Sequence, residues 1–210
     1  NGYGTFAAFY DALTDDVDYA AWSTYLLAAI TRHGGRADAV LDLACGSGSL
    51  LLELAARGCD VIGVDGSADM LAVAREKAAD EGQDILFLCQ DMREFELYGT
   101  VRAVVSVCDS LNYILEKEEL LQVFKLVENY LFPGGVFIFD FNTVYKYAEV
   151  IGDTTIAENR EECSFIWENY YYPEEAVNEY EVTVFVKEKA VGFEGNENVN
   201  QFFHILSSVA

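Results

Sequence analysis

Residues 40–50 read VLDLACGSGSL, and the way this stretch folds decides the architecture. Val40–Leu43 is apolar on both sides of a single acid, Asp42, with no two-residue alternation. That is the pattern of a strand covered on both faces. Small residues follow, Ala44 to Gly48, and then GSLLLELAARG, a helical run closed by Gly58. A buried strand running into a glycine loop and a helix is one βα unit of an open parallel sheet. Ligands bind such sheets at the carboxyl ends of the strands. Gly46 and Gly48 lack a Cβ, so the loop can turn tightly and admit a ligand to its backbone. Dinucleotide enzymes use a similar loop, G-x-G-x-x-G, which requires a small residue at position 51; here Leu51 stands there. A pyrophosphate also favours donors and positive potential, whereas Asp42 just before the loop suits a ligand with a positive end.

Working outward, strands and helices alternate for about 100 residues. DVDYAAWSTYLLAAITRHGG has helical spacing at Tyr19, Trp22, Leu26, Leu27 and Ile30, with a stop at Gly34 and Gly35. DVIGVD reads as a second strand. SADMLAVAREKAADEG reads as a helix with Ser67 as N-cap and Gly82 as stop. DILFLCQ and RAVVSVC follow as strands, then the amphipathic helix KEELLQVFKLVENYLF, Pro133-Gly134-Gly135, and a fifth strand, VFIFDF. The fold class is α/β: a doubly wound, Rossmann-like, mostly parallel sheet with helices before it. After about residue 150 the pattern changes. CSFIWENYYY places Phe165, Trp167 and Tyr171 on one face and Ile166, Tyr170 and Tyr172 on the other. YEVTVFVKE sets Val182, Val184 and Val186 against Glu181, Thr183 and Lys187. The two runs predict an antiparallel hairpin across the turn region PEEAVNE, with QFFHIL as a third strand.

The chain has 210 residues, 52% of them apolar, and a formal net charge of −23. It has room for one domain with a small insert. No apolar run reaches the ~18 residues of a spanning helix, which points away from the membrane. So acidic a surface repels phosphate backbones, and no basic stripe offsets it, so nucleic acid is not an expected partner. The charge by itself reads as solubility. The start, NGYGTFAAFYDAL, has no basic segment followed by an apolar one and is not a signal peptide; lacking Met, it reads as a processed or shortened end. Cys45, Cys59, Cys89, Cys108 and Cys163 form no C-x-x-C pair. Buried free thiols in a reducing cytoplasm account for them. His33 and His204 have no cysteine nearby, so no metal is expected.

Asp42-Leu43-Ala44-Cys45-Gly46-Ser47-Gly48 resembles the first motif of the class I S-adenosylmethionine-dependent methyltransferases, acid-x-Gly-x-Gly-x-Gly, with Ala44 in place of the first glycine. The resemblance implies that S-adenosyl-L-methionine is the cofactor, its ammonium and sulfonium facing an acid and bare backbone. It implies further roles at successive strand ends. Asp65, closing VIGVD, would accept both ribose hydroxyls. Gly66 to Met70 would pass beside the adenine, Met70 as an apolar flank. In LCQDMREF, Asp91 would accept from the adenine amino group and the Met92 N–H would meet a ring nitrogen. In SVCDSLNY, the Cys108 main chain would lie near the methionine amine, with Asp109 and Asn112 toward the substrate. FAAFYDALTDDVDYAAW resembles the N-terminal helical lid of a bacterial small-molecule methyltransferase subgroup, in which an early tyrosine, here Tyr3 or Tyr10, closes over the methionine carboxylate; both also read as ordinary core aromatics. Singly, each acid has a plain reading as a turn or cap residue. Their order and spacing together carry the resemblance.

The implied organisation is a cofactor domain over 1–145, with N-terminal helices in 1–35, and an antiparallel β insert or lid over 146–210. The family's usual closing helix and strands are absent after the insert. A shortened C-terminus is the preferred explanation, because an open parallel sheet would otherwise leave an exposed edge. The expected activity is methyl transfer to a small-molecule acceptor. The alternatives are a non-catalytic S-adenosylmethionine-binding module, a nicotinamide (NAD)-dependent oxidoreductase and an aminopropyl transferase. Placement outweighs proton transfer in such chemistry, so no obvious base is required; Asp109 and His204 are the candidates. The aromatic hairpin could cover a small or moderately apolar acceptor; it also reads as a homodimer surface or a plain second core.

Overall fold

The computed structural model describes residues 7, 9–11, 13–160, 163–187 and 199–209. The chain divides into two compact units, Leu13–Phe141 and a second made of Asn1–Ala12 with Asn142–Ala210.

The first unit runs α1 (Tyr19–Arg32), β1 (Val40–Leu43), α2 (Ser49–Ala56), β2 (Val61–Asp65), α3 (Ala68–Asp80), β3 (Leu86–Cys89), β4 (Val101–Ser106), α4 (Lys117–Tyr130) and β5 (Leu131–Phe139). Its five strands are parallel in the order β3-β2-β1-β4-β5. The chain walks outward from β1 to β3, then returns to lay β4 on the other side of β1. The switch point therefore falls between β1 and β4, where such sheets open a crevice at their carboxyl ends. Two apolar layers cover the sheet. Leu26 and Ile30 of α1, Leu50, Leu51 and Leu54 of α2 and Leu71 and Ala74 of α3 pack with Val40 and Val105. Val123 and Val127 of α4 pack with Leu41, Leu43, Val64 and Val104.

The helix caps follow from the sequence. Asp18 accepts from the Ala21 N–H at 2.8 Å to start α1. Ser67 accepts from the Met70 N–H at 3.3 Å to start α3. Covering on both faces holds for β1, which is buried throughout, and nearly so for β4. It does not hold for β3 and β5. These are edge strands, so Leu86 and Phe139 are exposed. For the same reason Cys89 is an exposed thiol rather than a buried one. Cys45 and Cys163 are buried, Cys59 and Cys108 half-buried, and all five are free. β5 also starts earlier than VFIFDF, directly after α4, and carries a register shift against β4 around Pro133–Gly135.

In the second unit a helical segment is described at residues 7, 9–11 and 13, the last of these in the first unit, and a π-helical turn spans Lys146–Ile151. An antiparallel sheet follows, β6 (Thr155–Asn159), β7 (Cys163–Tyr172), β8 (Val177–Lys187) and β9 (Val199–Val209), paired in chain order. The expected hairpin and third strand are β7, β8 and β9. The strand β6 was not expected. TIAEN is short and exposed throughout, and its place comes from pairing with β7, not from a core face of its own. One face of β7–β8 buries Phe165, Val182 and Val184. It also buries Asn169 and Asn178, where Trp167 Nε1 donates to Asn169 Oδ1 at 3.0 Å.

Among the described residues, no helix is long and apolar enough to cross a membrane, and no cluster of three His, Cys, Asp or Glu could hold a metal ion.

Candidate functional site

The loop between β1 and α2 turns back on itself through left-handed backbone. Ala44, Gly46 and Gly48 have φ of 68°, 53° and 76°. The Ala44 and Cys45 N–H groups both donate to the Val64 carbonyl, at 2.8 and 3.0 Å, tying the loop to the end of β2. A Cβ on Gly46 would meet nothing within 4 Å, so its backbone faces open space. At Gly48 the constraint is contact: a Cβ there would stand 3.0 Å from Cβ of Ala74 on α3. One glycine leaves room for a ligand and the other lets the loop sit on a helix. Leu51, at the position that excluded the dinucleotide pattern, is fully buried in the core.

Asp65 ends β2 and is knitted into the same loop. Its Oδ2 accepts the Gly46 N–H and its Oδ1 the Ser67 N–H, each at 2.8 Å. Burial raises the Asp65 carboxyl, and these two hydrogen bonds work against that rise. Each oxygen retains acceptor capacity after one backbone bond. Asp42, 2% exposed and one residue short of the end of β1, has a carboxyl pushed up to about 7, by burial first and then by the Asp65 charge. No hydrogen bond reaches its side chain among the described residues. The Cys45 thiol is raised by burial, with Asp42 and Asp65 adding to it; it is a packing residue, not a nucleophile.

Beyond β3 lie Asp91 and Met92. Asp91 is paired with Arg93, whose Nε and Nη2 donate to its Oδ1 at 2.9 Å and Oδ2 at 2.6 Å, and whose backbone N–H adds a third bond at 2.8 Å. These bonds hold its carboxyl below the usual range. The Met92 side chain packs on the α4-side core, while its N–H makes no hydrogen bond to described residues. Gly66 is open, its nearest neighbour to a Cβ being the Gln90 carbonyl at 4.0 Å. Met70 is half-buried on the first turn of α3.

β4 ends in two consecutive left-handed residues that are not glycine, Cys108 (φ 60°) and Asp109 (φ 54°). Their N–H groups both donate to Asp140, to Oδ2 at 3.2 Å and Oδ1 at 3.0 Å. The Cys108 thiol is pushed up to about 12, by burial and then by Asp140. Asp109 opens a short 3-10 turn, Ser110–Tyr113, through its carbonyl, which accepts the Asn112 N–H at 2.9 Å, and Asn112 is buried. The sequence reading passed over Asp140. The trace it leaves is an acid closing the apolar run VFIFDF, as Asp65 closes VIGVD.

The strand ends thus gather Asp42, Ala44, Gly46, Gly48, Asp65 and Gly66 around β1 and β2. Cys108 and Asp109 join them beside β1, because β4 pairs with β1. Asp91 and Met92 continue the row past β3. Tyr10 is helical and half-buried in the other unit. Tyr3 lies outside the described residues. His204 lies on β9 opposite Thr183, and its side chain is outside the described residues.

A parallel sheet in this order, with an acid and an open glycine turn at its switch point, agrees with the class I S-adenosylmethionine-dependent methyltransferases, and the chain belongs to that family. Residues 40–135 match the family model of a methyltransferase domain. The chain is 38% identical over 185 residues to YqeM of Bacillus subtilis (strain 168), called a methyltransferase; the match covers 88% of this chain and 73% of that one. It also resembles the dTDP-3-amino-3,6-dideoxy-alpha-D-glucopyranose N,N-dimethyltransferase of Streptomyces fradiae, at 32% identity over 137 residues, 64% of this chain and 52% of that one. Among solved structures, an S-adenosylmethionine-dependent methyltransferase from Clostridium acetobutylicum ATCC 824 superposes with a TM-score of 0.83 at 30% identity, covering 100% of this chain and 81% of that one. S-adenosyl-L-methionine is the cofactor, and the open backbone at Gly46 with the buried acids around it fits such a group.

Proposed function

We propose that the chain methylates a small polar acceptor, an amine or a hydroxyl compound, in the cytoplasm. The observation that carries the reading is the Asp65 carboxylate, which ties down Gly46 and Ser67 and keeps one acceptor site per oxygen for a vicinal diol. Asp65 holds the ribose. The open Gly46 backbone admits the ligand, Asp42, ionised above about pH 7, supplies negative potential for its cationic end, and Gly48 keeps the loop on α3. Gly66 and Met70 flank the base, with the unbonded Met92 N–H as its donor. Asp91 reaches the base only while shared with Arg93. Cys108 offers main chain to the amino-acid end.

When bound, the cofactor supplies a methyl group on a sulfonium, an electrophile that needs in-line approach. The chain's part is placement: alignment of two bound reactants lowers a barrier by ~7–11 kcal/mol, whereas a general base contributes roughly 3–5 kcal/mol. Asp109 stays as a candidate base.

Charge and relatives support the choice of acceptor. A net charge of −23 disfavours nucleic acid, and the Streptomyces fradiae relative is named for an amino-sugar substrate. A nucleotide diphosphate meets the same repulsion, so the reading takes over the small amine or hydroxyl and leaves out the nucleotide. Five free thiols support a reducing compartment. A homodimer through the β7–β8 sheet is part of the proposal.

The test is transfer of a tritiated methyl group from S-adenosyl-L-methionine to separated metabolite, protein and RNA pools. Label confined to metabolites supports the reading. Label in RNA or protein alone overturns it.

A further inference from the structure

The turn after β4 is built against the local preference of its residues. Side chains with a Cβ avoid the left-handed region, cysteine more strongly than aspartate, whose short polar side chain tolerates it. Cys108 and Asp109 both adopt it, and neither position is a glycine. Such outliers persist only when their surroundings over-determine them. The over-determining group is visible. Asp140, one residue past β5, accepts the Cys108 N–H on one oxygen and the Asp109 N–H on the other, at 3.2 and 3.0 Å. Its own N–H donates to the Ser106 carbonyl at 3.3 Å, which fixes Asp140 to the last residue of β4. Two successive N–H groups pointing to one side form an anion-binding concavity, a nest. Here the nest is filled by a carboxylate of the same chain. With both N–H groups turned onto Asp140, the orientation of the Cys108 peptide is set by a residue 32 positions later in the chain.

We propose that Asp140 is a positioning residue for the amino-acid end of the cofactor, acting through the Cys108–Asp109 backbone that it holds left-handed. The inference rests on the assignment of the Cys108 main chain to that end of the ligand. It has a selective consequence. Asp140 shapes the tip of β4 and makes no described bond to Asp65, Gly66 or Met92, which serve the nucleoside end. Losing the clamp should therefore weaken ligands that carry the amino-acid arm and spare those that lack it.

The experiment is calorimetric titration of the full chain with two probes, S-adenosylhomocysteine, which has the arm, and 5′-methylthioadenosine, which lacks it. Asp140→Asn keeps the shape but replaces one acceptor oxygen with an amide NH₂ that faces a backbone N–H. S-adenosylhomocysteine should bind about 10-fold more weakly to it, a loss of one charge-assisted hydrogen bond's size, and 5′-methylthioadenosine within about 2-fold of wild type. The methylthioadenosine titration also reports that the variant is folded. A parallel loss for both probes, or no loss for either, overturns the proposal. Cys108→Gly adds a second arm, because glycine takes φ of 60° without the clamp. The double variant C108G/D140N should recover part of the S-adenosylhomocysteine affinity relative to D140N, and if D140N alone does not fold, the double variant is compared with C108G instead. Equal losses for Asp140→Asn in both backgrounds count against positioning through the backbone. Asp65→Ala separates this inference from the reading beneath it: it should weaken both probes. If it weakens neither, the ribose assignment to Asp65 has failed; if it weakens both while Asp140→Asn changes nothing, only the positioning role has failed.

Discussion

Ala44 shows how a single residue can depart from a family pattern and keep the geometry. It takes φ of 68° where the motif carries glycine, held by two N–H bonds to the Val64 carbonyl. A left-handed alanine costs about 1–2 kcal/mol, and glycine's extra freedom in the unfolded chain costs about 0.5–1 kcal/mol. Ala44→Gly is therefore expected to stabilise the protein by roughly 0.5–1 kcal/mol in urea denaturation; a destabilised variant contradicts the strain. Gly46 and Gly48 should respond differently to alanine. Gly48→Ala meets Ala74 and should lose about 2 kcal/mol of stability. Gly46→Ala adds no clash but takes a left-handed φ of 53°, so it should cost about 1–2 kcal/mol of stability and also weaken S-adenosylhomocysteine binding. Asp42 makes a prediction in pH. Its folded-state value of about 7 lies above the ordinary 3.8, because it is buried beside Asp65. The folded chain then keeps a proton there that the unfolded chain has already released. The stability from this group is complete below about pH 4 and is lost as pH rises through 7. Asp42→Asn should be more stable than wild type at pH 8, by on the order of 2–4 kcal/mol, and gain nothing at pH 4. Urea midpoints at the two pH values decide it.

Among the elements, those with local causes were legible in the sequence. The cap at Ser67 is an example: its hydroxyl accepts from Met70 N–H, as SADM predicts. Ser67→Ala should cost about 1 kcal/mol by thermal denaturation, and no change means that the Asp65–Ser67 bond alone starts α3. The strand-to-loop run from Val40 to Gly48 was equally legible, since its apolar run, acid and glycines are contiguous. Most of what escaped depends on partners far away in the chain; Asp91, bonded to Arg93 two positions on, is the exception. Asp140 reads as an ordinary strand-end acid until the fold puts the 108–109 backbone against it. Asp91 reads as a free acceptor, while the structure shares it with Arg93, itself held by Glu119 at 3.0 Å. The strand β6 has no face pattern to announce it, because it is an exposed edge. Covering of β3 and β5 on both sides was expected from their apolar residues, yet apolar sequence alone does not say which strand ends up at an edge.

At the scale of the molecule, the sheet order explains why residues from distant parts of the chain act together. The chain leaves β1 toward β2 and β3 and returns to β4, so Asp42, Asp65 and the Cys108–Asp109 turn end at neighbouring strand tips although 67 positions separate the first from the last. The central claim is that these tips hold the nucleoside of S-adenosyl-L-methionine through the Asp65 carboxylate. Calorimetric titration of S-adenosylhomocysteine into the wild-type chain and Asp65→Ala tests it most directly. The account predicts saturable one-site binding to the wild type, no binding of NAD, and at least ~10-fold weaker binding to the variant, the size of a lost hydrogen bond to a charged group. Equal affinity for the wild type and a folded Asp65→Ala contradicts it.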